Sequence, residues 1–447
     1  MNEPQVVGFG WIQPKPNGSN LLSVQTERLL TNLKLVYQAT AIASVAIGIC
    51  LTLPKDAKAA ALTDRPNINT TNTISSDLAD KLQSTLDQNL GQTVGATVGI
   101  TSPFGNWFGA SGVNNLETET VVTPSDRFPI GSITKTFTAT TILQLAEKGK
   151  LSLEDTLGKW LPNIANNIPN SNEITIRQIL NGTSGIGDFL GEEELSQDLL
   201  DNPSLIFQDR EPEELVSYVY DRPLFEGSRC YQQVQWCYPN TGYILAGLII
   251  EEATGSNIAE EIREGILTPL GMNDTFFAEE EEIPGGYVSG YVNINNEFDD
   301  ITEYNLSLAW TAGGLVSNTQ DLTRFAQGLF GGELLQPDSL AQMLTFVDGG
   351  EGYRYGLGVI EVDTGLGTFL GHAGDIFGYN SDMWYLPETE VIYTNLQNTQ
   401  PSSNLIAPIL TTLVAENAQS VPESNNLISL IIFLGVGCLF FSNERKN

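Results

Sequence analysis

Apolar positions along this chain recur with two periods, and the switches between them mark out its elements. Leu78, Leu82 and Leu86 stand four residues apart behind Ser75, Ser76 and Asp77, which predicts a capped amphipathic helix. From Val94 to Ser111 apolar and small residues alternate around Pro103-Phe104-Gly105-Asn106, which predicts a β-hairpin. A further helix is expected from about Ser132 through Ile142, Leu143 and Leu145 to Gly149, a glycine placed for a left-handed helix end. Its apolar residues occupy more than one face, so it should be buried. Leu151 to Leu344 reads as mostly helical, with Ile176 to Leu180 and Ile244 to Ile250 the clearest apolar segments. Tyr355 to Val362, Thr368 to Gly371, Gly378 to Leu386 and Val391 to Leu396 then read as short strands, and Leu405, Ile409 and Leu413 mark a closing helix. The order predicts an α+β or α/β fold: one antiparallel sheet made from both ends of the chain, flanked by helices, with a mostly helical region inserted.

The two ends read differently. Lys15, Arg28 and Lys34 precede an apolar run from Val36 to Leu53, and Ala57 and Ala59 supply a small-x-small site, so residues 1–59 are expected to be an export signal cut by signal peptidase. Residues 60–75 read as an Asn/Thr-rich linker and 76–418 as the folded domain. Residues 419–447 begin Val421-Pro422-Glu423, continue as an apolar run from Leu427 to Phe441 and end in Arg445 and Lys446. That run is shorter than a hydrocarbon core. It resembles a PEP-CTERM sorting segment, which implies transient membrane anchoring, an exosortase as processing partner and a periplasmic, surface or extracellular-matrix destination.

Charge and composition exclude several classes of function. The formal net charge of −33 repels phosphate backbones, so no nucleic-acid partner is expected. The runs Glu192 to Glu194 and Glu279 to Glu282 read as solvated loops, with a calcium site as the alternative. His372 is the one histidine, which excludes zinc sites built on several histidines, and no metal or cofactor is expected. Of the 4 cysteines, Cys230 and Cys237 are the pair outside the terminal segments, and export predicts that they form a disulfide leading into Tyr238.

Ser132 and Lys135 lie one helical turn apart, which places a hydroxyl beside an amine: a nucleophile beside a proton acceptor at a helix start. Alone, Ser-x-x-Lys is a weak signal. Tyr238-Pro239-Asn240 stands before an apolar helix, and Gly371-His372-Ala373-Gly374 lies between two predicted strands. With stretches such as Leu145 to Leu151, Thr183-Ser184-Gly185 and Ala312 to Ser317, this ordered set resembles the serine β-lactamase and penicillin-binding family. The likeness is to its branch of class C β-lactamases, D-alanyl-D-alanine carboxypeptidases and related esterases.

The resemblance implies a β-lactamase/transpeptidase-like fold and an acyl-enzyme on Ser132. Lys135 and Tyr238 would form the general base, and Asn240 would bind the substrate amide and the lysine. The N–H groups of Ser132 and Asp375 would hold the oxyanion, and the strand carrying His372 and Gly374 would line the substrate. The substrate would be a small molecule or peptide: a peptidoglycan stem peptide, another D-amino-acid amide, a β-lactam or an ester. The chain departs from the family at Pro239, at Gly182, where many relatives carry histidine, and in the region before His372, where Arg354 is the nearest cation to a carboxylate-binding arginine. Two other readings compete. A Ser-His-Asp hydrolase would need a Gly-x-Ser-x-Gly elbow, which the chain lacks. A catalytically silent module binding cell wall or surface material would not need Ser132, Lys135, Tyr238 and Asn240 together.

Overall fold

The computed structural model describes residues 72–420 except 228, 351 and 365. The expected export signal, most of the expected linker and the expected sorting segment beyond residue 420 lie outside the described residues. No described helix is long and apolar enough to cross a membrane.

The order of elements builds one sheet from the two ends of the domain. Helix α1 (Ser76–Asn89) leads into strands β1 (Gly95–Ser102), β2 (Gly105–Asn115) and β3 (Thr120–Val121). Far along the chain come β4 (Val347–Asp348), β5 (Arg354–Tyr355), β6 (Ile360–Thr364), β7 (Gly367–Ile376), β8 (Tyr379–Leu386) and β9 (Val391–Gln397). Together they form a 9-stranded sheet in the order β4-β5-β6-β7-β8-β9-β1-β2-β3. The closure between N- and C-terminal parts is the antiparallel β1/β9 pair, from Ala96 opposite Gln397 to Thr101 opposite Ile392.

Side-chain alternation assigns the two faces. Ala96, Val98, Ile100 and Tyr393 pack with Leu78, Leu82 and Leu86 of α1 and with Leu405, Ile409 and Leu413 of the closing helix. Ile392 and Leu396 point the other way, into the larger core shared with the inserted region. At the centre of that core is α2 (Thr134–Glu147), where every residue from Thr134 to Leu143 is buried. Phe137 stacks on Phe325 of helix α4 (Thr319–Phe330) with ring centroids 3.6 Å apart. Between them in sequence lies α3 (Asn240–Thr254), buried from Asn240 through Ile250. Gly149 follows α2 with φ 68°, as its position predicted.

Several boundaries differ from the sequence reading. The expected strand from Tyr355 to Val362 is split, because Gly358 adopts φ 73° and its carbonyl accepts a 2.7 Å bond from Thr136 of α2 instead of a strand partner. The strand expected from Thr368 to Gly371 continues through Ile376, so Gly371 to Gly374 lie within β7 and not between strands. The inserted region contains short strands: Leu315–Ser317 pairs with Phe128–Pro129 on one side and with Phe276–Phe277 on the other, and Tyr291–Ile294 pairs with Glu297–Asp300. The acidic runs are not free loops. Glu193 and Glu194 open a helix, and Glu281 holds both Arg263 at 2.5 Å and the Phe277 N–H at 2.7 Å. Among the described residues no acidic, histidine and cysteine group has the arrangement of a metal site.

Candidate active site

Ser132 sits on a single 3-10 turn, Gly131–Ile133, that feeds directly into α2. Gly131 makes this approach possible. Its φ is 50°, and a Cβ there would stand 2.9 Å from the backbone nitrogen of Asp375. Gly374 is equally constrained, since a Cβ would meet the Ile130 carbonyl at 2.1 Å and the Ser132 nitrogen at 3.0 Å. Two glycines thus let β7 run against the turn, with the backbone of Gly374 and Asp375 beside Ser132. Ser381 of β8 fixes the contact from behind by donating to the Ile130 carbonyl at 2.7 Å.

Lys135 has no exposed surface. Its Nζ lies 2.9 Å from Ser132 Oγ and 2.7 Å from the carbonyl oxygen of Ala312. Burial lowers its pKa well below the ordinary lysine value, and the positive charge of Arg229 adds to that effect while Asp188 opposes it. Lys135 can therefore be a neutral amine beside the serine hydroxyl, which is the form that accepts a proton.

Tyr238 brings its ring to 5.1 Å from Lys135 Nζ. Burial raises the pKa of its phenol, with Arg229 and a hydrogen bond from Ser132 working against the rise. Burial thus favours the neutral phenol at Tyr238. Asn240 opens α3, and its amide nitrogen lies 3.1 and 3.0 Å from the two carboxylate oxygens of Asp188. The hydrogen bonds of Lys135 go to Ser132 and Ala312, so Asn240 is oriented by an aspartate and not by the lysine. With its NH2 turned to Asp188, the side-chain oxygen of Asn240 is left as an acceptor.

His372 is on β7 with 1% exposure. Its Nδ1 donates to the Ala373 carbonyl at 2.6 Å, which leaves Nε2 to accept from the Tyr355 hydroxyl at 3.1 Å. Burial, with Lys135 as a second cause, holds its pKa down to about 3. It is a neutral imidazole with both nitrogens occupied, and neither contacts Ser132. Asp375 points away from the turn, its Oδ1 accepting from Asn380 at 2.8 Å, so what it offers next to Ser132 is backbone. Arg354 pairs with Glu361.

The structure therefore brings Ser132, Lys135, Tyr238, Asn240 and the backbone of Gly374 and Asp375 to one place, with His372 behind them. Cys230 and Cys237 form a disulfide across the two-stranded ribbon that delivers Tyr238. Sequence reasoning missed Asp188 and Arg229. Asp188 follows Thr183-Ser184-Gly185 by three residues, and Arg229 flanks Cys230 as Tyr238 flanks Cys237. The symmetry of the cysteine loop is the signal that could have found the arginine. Gly182 likewise has a reason, because a Cβ there would stand 2.4 Å from the indole nitrogen of Trp236.

Comparison with known proteins places this geometry in context. A family model described as Beta-lactamase matches residues 82–416. Penicillin-binding protein 4* of Bacillus subtilis (strain 168) is 32% identical over 273 residues, 57% of this chain and 57% of its own length. Putative penicillin-binding protein PbpX of the same organism is 28% identical over 281 residues, 62% of this chain and 63% of its own. The chain thus spans about three fifths of the length of these curated relatives. Among solved structures, a D-stereospecific amidohydrolase from Streptomyces sp. superposes with TM-score 0.65 at 27% identity, covering 74% of this chain and 97% of its own. A D-amino acid amidase from Ochrobactrum anthropi SV3, complexed with L-phenylalanine amide, gives TM-score 0.66 at 26% identity over 77% of this chain and 100% of its own.

Proposed function

Since the chain belongs to the beta-lactamase family, we propose that it is an exported serine hydrolase that cleaves amides of D-amino acids through an acyl-enzyme on Ser132. The observation that carries the reading is the 2.9 Å contact between Ser132 Oγ and the fully buried Nζ of Lys135. The substrate class follows the two amide-hydrolysing neighbours, whose names specify D-stereospecific and D-amino acid substrates. β-Lactams and small esters share the acyl chemistry and are secondary substrates.

In the acylation step Ser132 Oγ forms a bond to the carbonyl carbon while its proton passes to the neutral Nζ of Lys135. The developing oxyanion lies against the N–H groups of Ser132 and Asp375, each such donor lowering the barrier by roughly 3 kcal/mol. The C–N bond then breaks, and the leaving amine takes a proton from the Tyr238 phenol, which Lys135 restores. Water attacks the resulting ester, its proton goes to the same base, and Ser132 leaves as the hydroxyl with the carboxylic acid as product. The side-chain oxygen of Asn240 accepts from the substrate amide N–H. His372, neutral and tied on both nitrogens, supports the strand on which the substrate lies.

Within this proposal residues 76–418 are the hydrolase domain of the class C and carboxypeptidase branch. Residues 1–59 direct export, 60–75 link, and 419–447 retain the chain at the membrane until an exosortase removes the tail.

The test is a panel of D-alanine amide, a D-Ala-D-Ala peptide, nitrocefin and a p-nitrophenyl ester, run with wild-type protein and with Ser132→Ala. The expected result is turnover of at least the D-amino-acid amide, labelling of wild type by a reporter penicillin, and loss of both in Ser132→Ala with little change in thermal stability, since one oxygen is removed without a large cavity. Hydrolysis of every active substrate by Ser132→Ala at the wild-type rate would refute the assignment.

A further inference from the structure

The disulfide does more than close a short loop, because of what stands on either side of it. Cys230 and Cys237 are directly opposite in the ribbon formed by Cys230–Tyr231 and Trp236–Cys237. The next rung outward is Arg229 and Tyr238, joined by a 3.0 Å bond from the Tyr238 N–H to the Arg229 carbonyl. Arg229 takes φ 62°, a left-handed conformation rare for a side-chain-bearing residue, and its guanidinium carbon lies 3.7 Å from the centroid of the Tyr238 ring. From there Nη1 reaches Asp188 Oδ2 at 3.3 Å, the same carboxylate that holds Asn240. One cation, placed by one disulfide, thus touches the tyrosine directly and the asparagine through its aspartate.

We propose that Arg229 is a positioning residue of the Ser132 site, clamped across Tyr238 by the Cys230–Cys237 disulfide, and that opening the disulfide slows the enzyme by releasing that clamp. The inference rests on the acyl-enzyme reading above and names a control on the same site.

The surrounding charges leave Arg229 this role. The groups that act on Lys135 are Arg229 and Asp188, and those that act on Tyr238 are Arg229, Asp188 and Asp375 with the Ser132 hydroxyl. His372 is neutral, so it contributes no positive charge, and Tyr243 and Tyr355 behind it are held as phenols by burial. Arg229 is therefore the cation acting on both proton-transferring groups among the described residues, and its effect is to favour the deprotonated form of each. Opening the disulfide takes two electrons and two protons from a dithiol, which closes to its own cyclic disulfide and leaves the Cys230 and Cys237 thiols. The Arg229–Tyr238 rung then keeps its backbone hydrogen bond, the ring contact and the Asp188 ion pair but loses the covalent tie next to it.

The experiment measures kcat, KM and the pH profile for the active amide with the full chain, oxidised and dithiol-reduced, the latter checked by intact mass after alkylation. Arg229→Gln should lower kcat about tenfold and move the acid limb of kcat/KM alkaline by about one pH unit, because Lys135 then needs a higher pH to lose its proton. Arg229→Lys should return the limb toward wild type while kcat stays low, since charge is restored without the planar stack. Reduced wild type should match oxidised Arg229→Gln, and reducing Arg229→Gln should produce no further loss. Thermal unfolding is followed for each sample, and Arg229→Lys decides the matter if the glutamine variant does not fold. A wild-type profile in both arginine variants, or unchanged kcat in wild type with both thiols alkylated, would overturn the clamp. The parent reading is tested separately: if Ser132→Ala is inactive while the arginine variants are normal, only the clamp is lost.

Discussion

Lys135 and His372 are both fully buried bases, yet their surroundings give them opposite uses. The lysine keeps one free line to Ser132 Oγ at 2.9 Å, whereas the histidine spends both nitrogens on Ala373 and Tyr355. Lys135→Ala should therefore reduce kcat by about 10²–10⁴-fold, the usual worth of a positioned general base. His372 has a pKa of about 3 and stays uncharged from pH 5 upward, so no limb of the kcat/KM profile should belong to it. His372→Gln should lower the rate modestly and leave the profile between pH 5.5 and 7.5 unshifted. A profile that loses an acid limb near pH 6.5 in this variant would show that the histidine titrates during turnover. Gly131 gives a third outcome at this scale. Alanine there must hold φ 50° at a cost of about 1–2 kcal/mol and push its Cβ against the Asp375 nitrogen. Gly131→Ala is expected to lower kcat more than it raises KM, because the displaced N–H groups are the ones proposed to hold the oxyanion.

Helix α2 follows directly on the turn that holds Ser132 and is buried on every face from Thr134 to Leu143, which fixes that turn in place. Its threonines make this burial tolerable: Thr138 and Thr140 each return a hydrogen bond to the carbonyl four residues back, and Thr136 binds the Gly358 carbonyl. The apolar anchor is Phe137 stacked on Phe325. Phe137→Ala should destabilise by about 3–5 kcal/mol, as large-to-small changes at fully buried aromatic sites do. Chemical denaturation measures it, and a loss below about 1 kcal/mol would mean that the Phe137–Phe325 stack does not anchor α2. The same variant should also lose activity below its unfolding temperature, because Phe137 anchors the helix into which the Ser132 turn runs.

At the scale of the whole molecule, charge and burial point in one direction. Asp188, Asp321, Glu361, Asp375 and Asp382 all have carboxyl pKa values raised, in each case chiefly by burial. A group with a raised folded-state pKa binds its proton more tightly when folded, so its ionisation costs stability above that pKa, and the cost is relieved as pH falls toward the unfolded value near 3.8–4.5. Acidification also reduces the self-repulsion of a chain with net charge −33. His372 opposes both, since the unfolded chain takes up its proton below about pH 6.5 while the folded one does not until about 3. The expected Tm optimum lies between about pH 5 and 6.5, below neutrality, with added salt raising Tm most at pH 8. Scanning calorimetry across pH 4–9 checks it, and a Tm that rises steadily to pH 8 would contradict it.

The elements and the main site residues were legible because they depend on local chemistry. Leucines four apart made α1, alternation around Pro103 to Asn106 made the β1/β2 hairpin, and the ordered set Ser132, Lys135, Tyr238, Asn240 and His372 marked where chemistry would gather. Composition argued against nucleic acid as a partner and against a metal site built on several histidines. What stayed hidden depends on contacts between segments far apart in sequence. The split after Tyr355 arises because α2 claims the Gly358 carbonyl, 222 residues away from Thr136 in the chain. Asn240 turns to Asp188 and not to Lys135, and Arg229 stacks on Tyr238 through a disulfide-closed rung, because three loops meet over one buried lysine. The surroundings of His372 were decided there too: the desolvation and hydrogen bonds that keep it neutral exist only once β7 is packed between β6 and β8. Periodicity reports which faces a segment must bury, whereas protonation and hydrogen-bond choice are set by what the fold brings against them.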